Sequence, residues 1–182
     1  MDAPTLIARL VAVVRGAVLE PGPDTDQPTI HVAPAHLVPV VQALREAPDL
    51  SFAFLADVTA VDWWPKEPRF EVIYHLASID RGCRLRLKVR APGSAAHVPT
   101  LKAIWASADW LEREVWDLFG IVFDGHDDLR RLLMPDEWEG HPLRKDYPVQ
   151  VSVPVRTSEP LQVSEEEFRA NIERDRRARG TP

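Results

Sequence analysis

Arg84-Leu85-Arg86-Leu87-Lys88-Val89-Arg90 alternates cationic and apolar side chains without a break, the pattern of a strand with one face buried. Successive strand side chains point to opposite faces of a sheet. Leu85, Leu87 and Val89 therefore face a core, and the four cations between and around them face outward. That outward face reads as plain solvation, with contact to an acidic partner as the alternative. Working back along the chain, Arg81-Gly82 supplies a hairpin turn. Arg69 to Ile79 is the strand before it, entered from the turn Pro65-Lys66-Glu67-Pro68. Ser51 to Val61 is apolar almost without a break, which predicts a strand buried on both faces. Thr29-Ile30-His31-Val32 is a shorter strand candidate, after a loop over 21–28 rich in Pro, Gly and Asp.

Amphipathic helices flank these strands. Leu6, Leu10, Val13 and Val14 form an apolar stripe, with Thr5 as a possible cap and Gly16 as a stop. Pro34 can open a second helix over His36 to Glu46, with Leu37, Val40, Val41 and Leu44 inward and Pro48 closing it. Pro39 falls close enough to its start to be tolerated. A third helical region spans about Val98 to Leu118, with Ile104, Ala108, Leu111, Val115 and Leu118 on one face. A break near Ser107 is predicted, since Asp109 and Glu112 have capping-box spacing. This order implies an α+β fold: two layers, a mixed β-sheet covered by helices on one face, followed by an extended C-terminal arm and tail. The predicted organisation is a globular domain over 1–120, a charged arm over 121–150 and a tail over 151–182. Pro148, Pro154 and Pro160 predict an extended stretch, and Ser164 to Arg169 opens a last helix too poor in apolar residues to stand alone.

Composition narrows the function classes. Apolar content of 45% and charged content of 27% are those of a globular protein. No apolar run approaches the roughly 20 residues that span a bilayer, and Met1-Asp2-Ala3-Pro4 lacks a basic region before an apolar one. The chain is expected in the cytosol, or at a membrane only through partners. A net charge of −6 argues against nucleic acid. The one basic cluster, Arg174-Asp175-Arg176-Arg177-Ala178-Arg179, reads as a solvated helix end. Cys83 is the only cysteine, which excludes an intramolecular disulfide and a cysteine-ligated iron–sulfur cluster. It reads as a small structural residue.

The chemistry-bearing residues concentrate between 112 and 147. There Glu112-Arg113-Glu114-Val115-Trp116-Asp117-Leu118-Phe119-Gly120 leads through Gly125-His126-Asp127-Asp128-Leu129-Arg130-Arg131 to Trp138-Glu139-Gly140-His141-Pro142-Leu143-Arg144-Lys145-Asp146-Tyr147-Pro148. Ten carboxylates stand among five Lys/Arg side chains in that span, interleaved with aromatic, glycine and proline residues that fix a backbone. Three readings compete. Asp109, Arg113 and Asp117, spaced by four, can form an acid–base–acid ladder along a helix. His126 with Asp127 and Asp128, or His141 with Glu139, offers metal ligands but no compact ligand spacing. Glu112 and Glu114, two apart on a helix, point in different directions and cannot flank one bond. No P-loop, Gly-x-Gly-x-x-Gly or Gly-x-Ser-x-Gly occurs. Gly120 can end the helix, and His141-Pro142 and Tyr147-Pro148 bracket an extended Leu143-Arg144-Lys145-Asp146. Trp110, Trp116, Trp138 and Tyr147 are residue types that anchor interfaces; each fits a core equally, with Trp138 favoured for an interface.

The block Glu-Arg-Glu, two residues, Asp, two large apolar residues, then His and Arg resembles the signature of the C-type, 30 kDa subunit of respiratory complex I, the NADH–quinone oxidoreductase. Glu112, Arg113, Glu114, Asp117, Leu118, Phe119, His126 and Arg130 fill its positions, and the run from Trp138 to Pro148 is also typical. Asp127 departs from the pattern, which commonly has proline there. The resemblance implies membership of an oxidoreductase and translocase, with no catalytic centre in this chain. It implies a place in the peripheral arm on the cytoplasmic face of the cell membrane, docked on the D-type, quinone-site subunit and on other peripheral-arm subunits. Flavin, iron–sulfur clusters and the quinone pocket would belong to partner subunits, so no cofactor is expected here. The resemblance assigns structural and docking roles to Glu112, Arg113, Glu114, Asp117, His126, Arg130, Gly140, His141, Pro142, Arg144 and Asp146. A chain ending at Pro182 is expected to stand alone rather than continue into the quinone-site subunit. Two alternatives remain: the equivalent subunit of a membrane-bound hydrogenase, and a free-standing metal-dependent hydrolase.

Overall fold

The computed structural model describes residues 2–23, 26–148 and 164–178. Residues 2–147 belong to one compact unit. Helix α1 (Ala3–Val13) leads to strand β1 (Leu19–Pro21) and strand β2 (Thr29–Val32). A 3-10 turn over Pro34–His36 runs into α2 (Leu37–Glu46). Strands β3 (Phe54–Asp62), β4 (Phe70–Ser78) and β5 (Cys83–Ala91) follow, then β6 (His97–Pro99), α3 (Ala108–Phe119) and β7 (Val122–Asp124).

The main sheet has the order β1-β2-β5-β4-β3. It is mixed, because β2 runs parallel to β5 while the other pairs are antiparallel. The alternation of Arg84 to Arg90 sets its register. Leu85, Leu87 and Val89 pair across from Leu76, Tyr74 and Val72, and all six are buried. They join Leu6 and Leu10 of α1, Leu37, Val40, Val41 and Leu44 of α2, and Val115 of α3 in one core. On the other face the β5 cations meet the protein's own acids. Arg86 pairs with Asp26 at 3.1 Å and Lys88 with Glu71 at 2.9 Å. The fold is α+β, with a mixed sheet and helices packed on its apolar face.

Several local expectations change. Asp2, not Thr5, caps α1, by accepting from the Thr5 amide at 3.1 Å. The strand at Ser51–Val61 begins later and is not buried on both faces: Phe54 is 51% exposed, and Ala56 and Asp57 lie open. β3 is an edge strand with an irregularity between Leu55 and Asp57, so its unbroken apolar run is split between a core face and an outer face. The region predicted helical from Val98 is a short strand and turns until Ala108. The break near Ser107 is real, but no side chain caps α3.

The boundary placed at 120/121 does not separate compact units, because residues 121–147 pack onto the preceding domain. A second unit contains α4 (Glu165–Ala178). Ser164 and Glu167 cap it reciprocally, each side chain accepting from the other's amide at 3.2 Å. Residues 164–175 are exposed throughout, in keeping with the thin apolar content of this helix. The extended stretch predicted around Pro154 and Pro160 lies outside the described residues.

Candidate functional site

α3 is the axis of the site. The acid–base–acid ladder predicted along it does not form, because each of its members finds a nearer partner in the loops around the helix. Asp109 pairs with Lys102 at 2.8 Å. Arg113, only 4% exposed, lies under Trp110 at 5.0 Å from the ring centroid and donates to the Arg131 carbonyl at 3.3 Å. Asp117, fully buried, binds Arg131 at 2.8 Å. Its Oδ2 also accepts from three consecutive amides, Leu132 at 2.9 Å, Leu133 at 2.8 Å and Met134 at 3.0 Å. Burial alone would raise the Asp117 carboxyl, but the arginine and the amides outweigh it and hold it down to about 2.

Glu112 shows the opposite balance. It is fully buried and accepts from Thr100 Oγ1 at 2.5 Å and the Leu101 amide at 2.7 Å. Burial dominates, no cation among the described residues bonds it directly, and its carboxyl is pushed up to about 7. Asp109 and Glu112 therefore make no capping box; both are engaged by residues 100–102.

The second run closes the end of α3. The last four carbonyls of a helix have no partner within it. Here Trp116 O accepts from the Gly120 amide at 2.8 Å, and Asp117 O from His141 Nδ1 at 2.9 Å. Leu118 O accepts from the Leu143 amide at 3.0 Å, and Phe119 O from Arg144 Nε at 2.6 Å. Gly120 makes this possible. Its φ is +71°, and a Cβ there would run into the His141 ring. Residues 141–147 are consequently a series of turns, with Arg144 N bonded to His141 O at 3.3 Å and Tyr147 N to Arg144 O at 3.1 Å, and not the extended segment predicted. Trp138 stacks on Tyr147 at 6.5 Å.

A third tether is invisible in sequence. Arg69, 5% exposed, makes a two-pronged contact with Asp62 at 2.8 and 2.9 Å and another with Asp146 at 2.6 and 2.9 Å. The Lys145 amide also donates to Asp62 at 2.8 Å. Burial works to raise the Asp62 carboxyl, but these donors win and it falls to about 2. Asp62, Arg69, Lys102 and Arg131 are the residues that sequence reading misses. Arg131, not the adjacent signature Arg130, reaches Asp117.

The signature residues thus divide. Glu112, Arg113, Asp117 and the His126 ring are buried, while Gly120, His141, Arg144 and Asp146 hold the closing run in place. Pro142 is half-buried within this run and Gly140 takes a φ of +78° beside Tyr147. Glu114 is half-buried with no polar partner among the described residues. Arg130 is 69% exposed and, among the described residues, paired only with Asp128.

Asp109, His126 and Asp127 have ligand atoms within 4.8 Å of one another, a spacing that could surround a metal ion. The donor set does not suit one. The Asp128 amide donates to His126 Nδ1 at 3.1 Å, which leaves the proton on Nε2, aimed at Asp109 3.2 Å away. The Lys102 ammonium bridges Asp109 and Asp127, so the cluster already has its cation.

Residues 30–153 match the family described as respiratory-chain NADH dehydrogenase, 30 kDa subunit. The chain belongs to this family. It is 45% identical over 149 residues to the C-type subunit of NADH-quinone oxidoreductase from Roseiflexus castenholzii, covering 82% of this chain and 86% of that one. With the equivalent protein of Geobacter sulfurreducens it shares 50% identity over 123 residues, 67% of this chain and 75% of that one. Among solved structures, the trypsin-resistant fragment 1–134 of Nqo5 matches with a TM-score of 0.59 and 30% identity, over 71% of this chain and all of the fragment. A chain of the membrane-bound sulfane sulfur reductase, an archaeal respiratory membrane complex, matches with a TM-score of 0.66 and 27% identity, over 80% of this chain and 85% of that one. As a member of the 30 kDa-subunit family, this chain of 20.5 kDa is a component of an oxidoreductase complex. Among the described residues, no helix is long and apolar enough to cross a membrane.

Proposed function

We propose that this protein performs no reaction and instead docks on the quinone-site subunit of the peripheral arm, on the cytoplasmic side of the membrane. Electrons would pass from NADH to quinone through flavin and iron–sulfur clusters held by partner subunits. The observation that carries this reading is the use made of the signature. Its buried charges are engaged within the fold, Glu112 by residues 100 and 101 and Arg113 and Asp117 by residues 131–134, while Arg130 is exposed beside Asp128 and the half-buried Glu114 has no polar partner among the described residues. A rigid frame that presents the exposed Arg130 and an unpaired Glu114 suits recognition of a partner surface, where rim charges set register and orientation. Glu112 and Glu114 do not converge on one point, and the Asp109–His126–Asp127 group is occupied by Lys102.

Glu114→Ala and Arg130→Ala test the reading. Both variants are expected to fold as isolated chains and to lower the amount of assembled complex on native gels of membranes. Wild-type levels of complex in both would contradict it. A second reading, membership of a related membrane complex with another electron acceptor, rests on the likeness to the sulfane sulfur reductase chain over 80% of this chain. Mass spectrometry of the proteins that co-purify with the tagged chain separates the two.

A further inference from the structure

The β3–β4 turn carries two consecutive tryptophans on the surface, Trp63 at 47% and Trp64 at 53% exposure. Exposed apolar side chains are ordinary singly, but a fixed indole pair is the composition of an interface hot spot. This pair is fixed from several sides. The Trp64 amide donates to Asp62 at 2.9 Å, and the Arg69 guanidinium lies 4.8 Å from the Trp64 ring centroid. Trp63 N bonds the Arg69 carbonyl at 2.8 Å, and Lys66 N bonds the Trp63 carbonyl at 2.9 Å. The Glu67 carboxylate accepts from the Arg69 amide at 3.0 Å and from Gly93 at 3.1 Å, so the turn is also clamped to the end of β5.

Through Arg69 the turn is joined to Asp146, and through Asp62 to the Lys145 amide. The indoles therefore continue the surface of the closing run, where Leu143 is 48% exposed. Lys66 and Lys145 are exposed on this surface and have no carboxylate partner among the described residues.

We propose that Trp63 and Trp64 anchor the chain in an apolar cleft with an acidic rim on the neighbouring protein subunit that also meets the closing run. This rests on the docking reading above. The clamped turn has its ordering entropy already spent, so burial of the indoles is available for binding. The carboxylates on this surface are already engaged, Asp146 by the Arg69 guanidinium and Glu67 by the Arg69 and Gly93 amides, which leaves Lys66 and Lys145 to face the rim.

The test uses the full chain and the purified quinone-site subunit. W63A/W64A is expected to weaken binding by about tenfold or more, with an unchanged thermal midpoint. Phe54→Ala, equally exposed at the other end of β3, leaves binding unchanged. A photoreactive phenylalanine analogue at position 64 is expected to crosslink to that partner, as is one at position 130. Crosslinking from 130 but not 64, with wild-type affinity in W63A/W64A, overturns the anchor and leaves the docking reading standing. No binding by the wild-type chain and no crosslink from either position overturns both. Binding of the wild-type chain to phosphatidylglycerol vesicles that W63A/W64A loses, without a crosslink from 64, makes the pair a membrane anchor and overturns the proposal.

Discussion

The middle of α3 and its C-terminal end each bury a carboxylate completely, yet one is pushed up to about 7 and the other held at about 2. Glu112 receives one hydroxyl and one amide. Asp117 receives a guanidinium and three amides. Both are shut off from solvent, but Glu112 lies deeper and has only neutral donors, while Asp117 meets a guanidinium as well as amides; depth and donor charge together send the two carboxyls in opposite directions. The C-terminal end is a locked joint whose stability depends on charge. The middle tolerates a carboxyl that prefers to be neutral.

The largest effect separating the two should come from removing the locked charge. Asp117→Ala strands Arg131 and three amides, and is expected to cost about 3–5 kcal/mol in chemical denaturation of the full chain. A cost below about 1 kcal/mol would show the joint to be dispensable.

Acid titration compares the same regions without mutation. Asp62 and Asp117 have folded-state values depressed from 3.8 to about 2. Their contribution, about 2 kcal/mol each, is present above pH 4 and lost as pH falls toward 2. Glu112 runs the other way. Its folded-state value is raised, so its contribution is full below about pH 4.5 and is lost as pH rises through 7. Glu112→Gln removes the ionisation and keeps an acceptor for the Leu101 amide, while its NH2 donates to Thr100 Oγ1 in place of accepting from it. It is expected to stabilise the chain at pH 8 by about 2–3 kcal/mol relative to its effect at pH 5. An equal effect at both values would mean that Glu112 titrates normally.

Gly120→Ala probes the hinge between helix and closing run. The left-handed backbone and the His141 ring in the path of the added Cβ predict a loss of about 1–3 kcal/mol. The smallest effect on folding belongs to the outside of the frame. Arg130→Ala breaks one exposed pair with Asp128, and a change below about 0.5 kcal/mol is expected.

How much of this can be read from sequence follows from the range of the interactions. The β5 alternation, the α2 stripe and the stop at Gly120 are legible because periods of 2 and 3.6 and a glycine after a helix are local signals. The family signature marks α3 and the closing run as special. The Asp62–Arg69–Asp146 tether is not legible, because Asp146 lies 77 residues from Arg69 and nothing local marks Arg69 as more than the first residue of a strand. β3 misleads for a related reason. An apolar run records composition, whereas edge position and the irregularity after Leu55 are set by its neighbours. The ladder along α3 fails because spacing by four permits a pair but does not exclude better donors from a loop, here Lys102 and Arg131.

The buried charges build the frame, and the exposed ones are proposed to meet the partner. Native gels of membranes carrying Arg130→Ala, read beside the thermal midpoint of the same full-length variant, test that division most directly. A midpoint within about 1–2 °C of wild type, as expected of an exposed pair, with severalfold less assembled complex is the predicted result. A normal amount of complex, or a loss of complex matched by an equally large loss of folding stability, would contradict it.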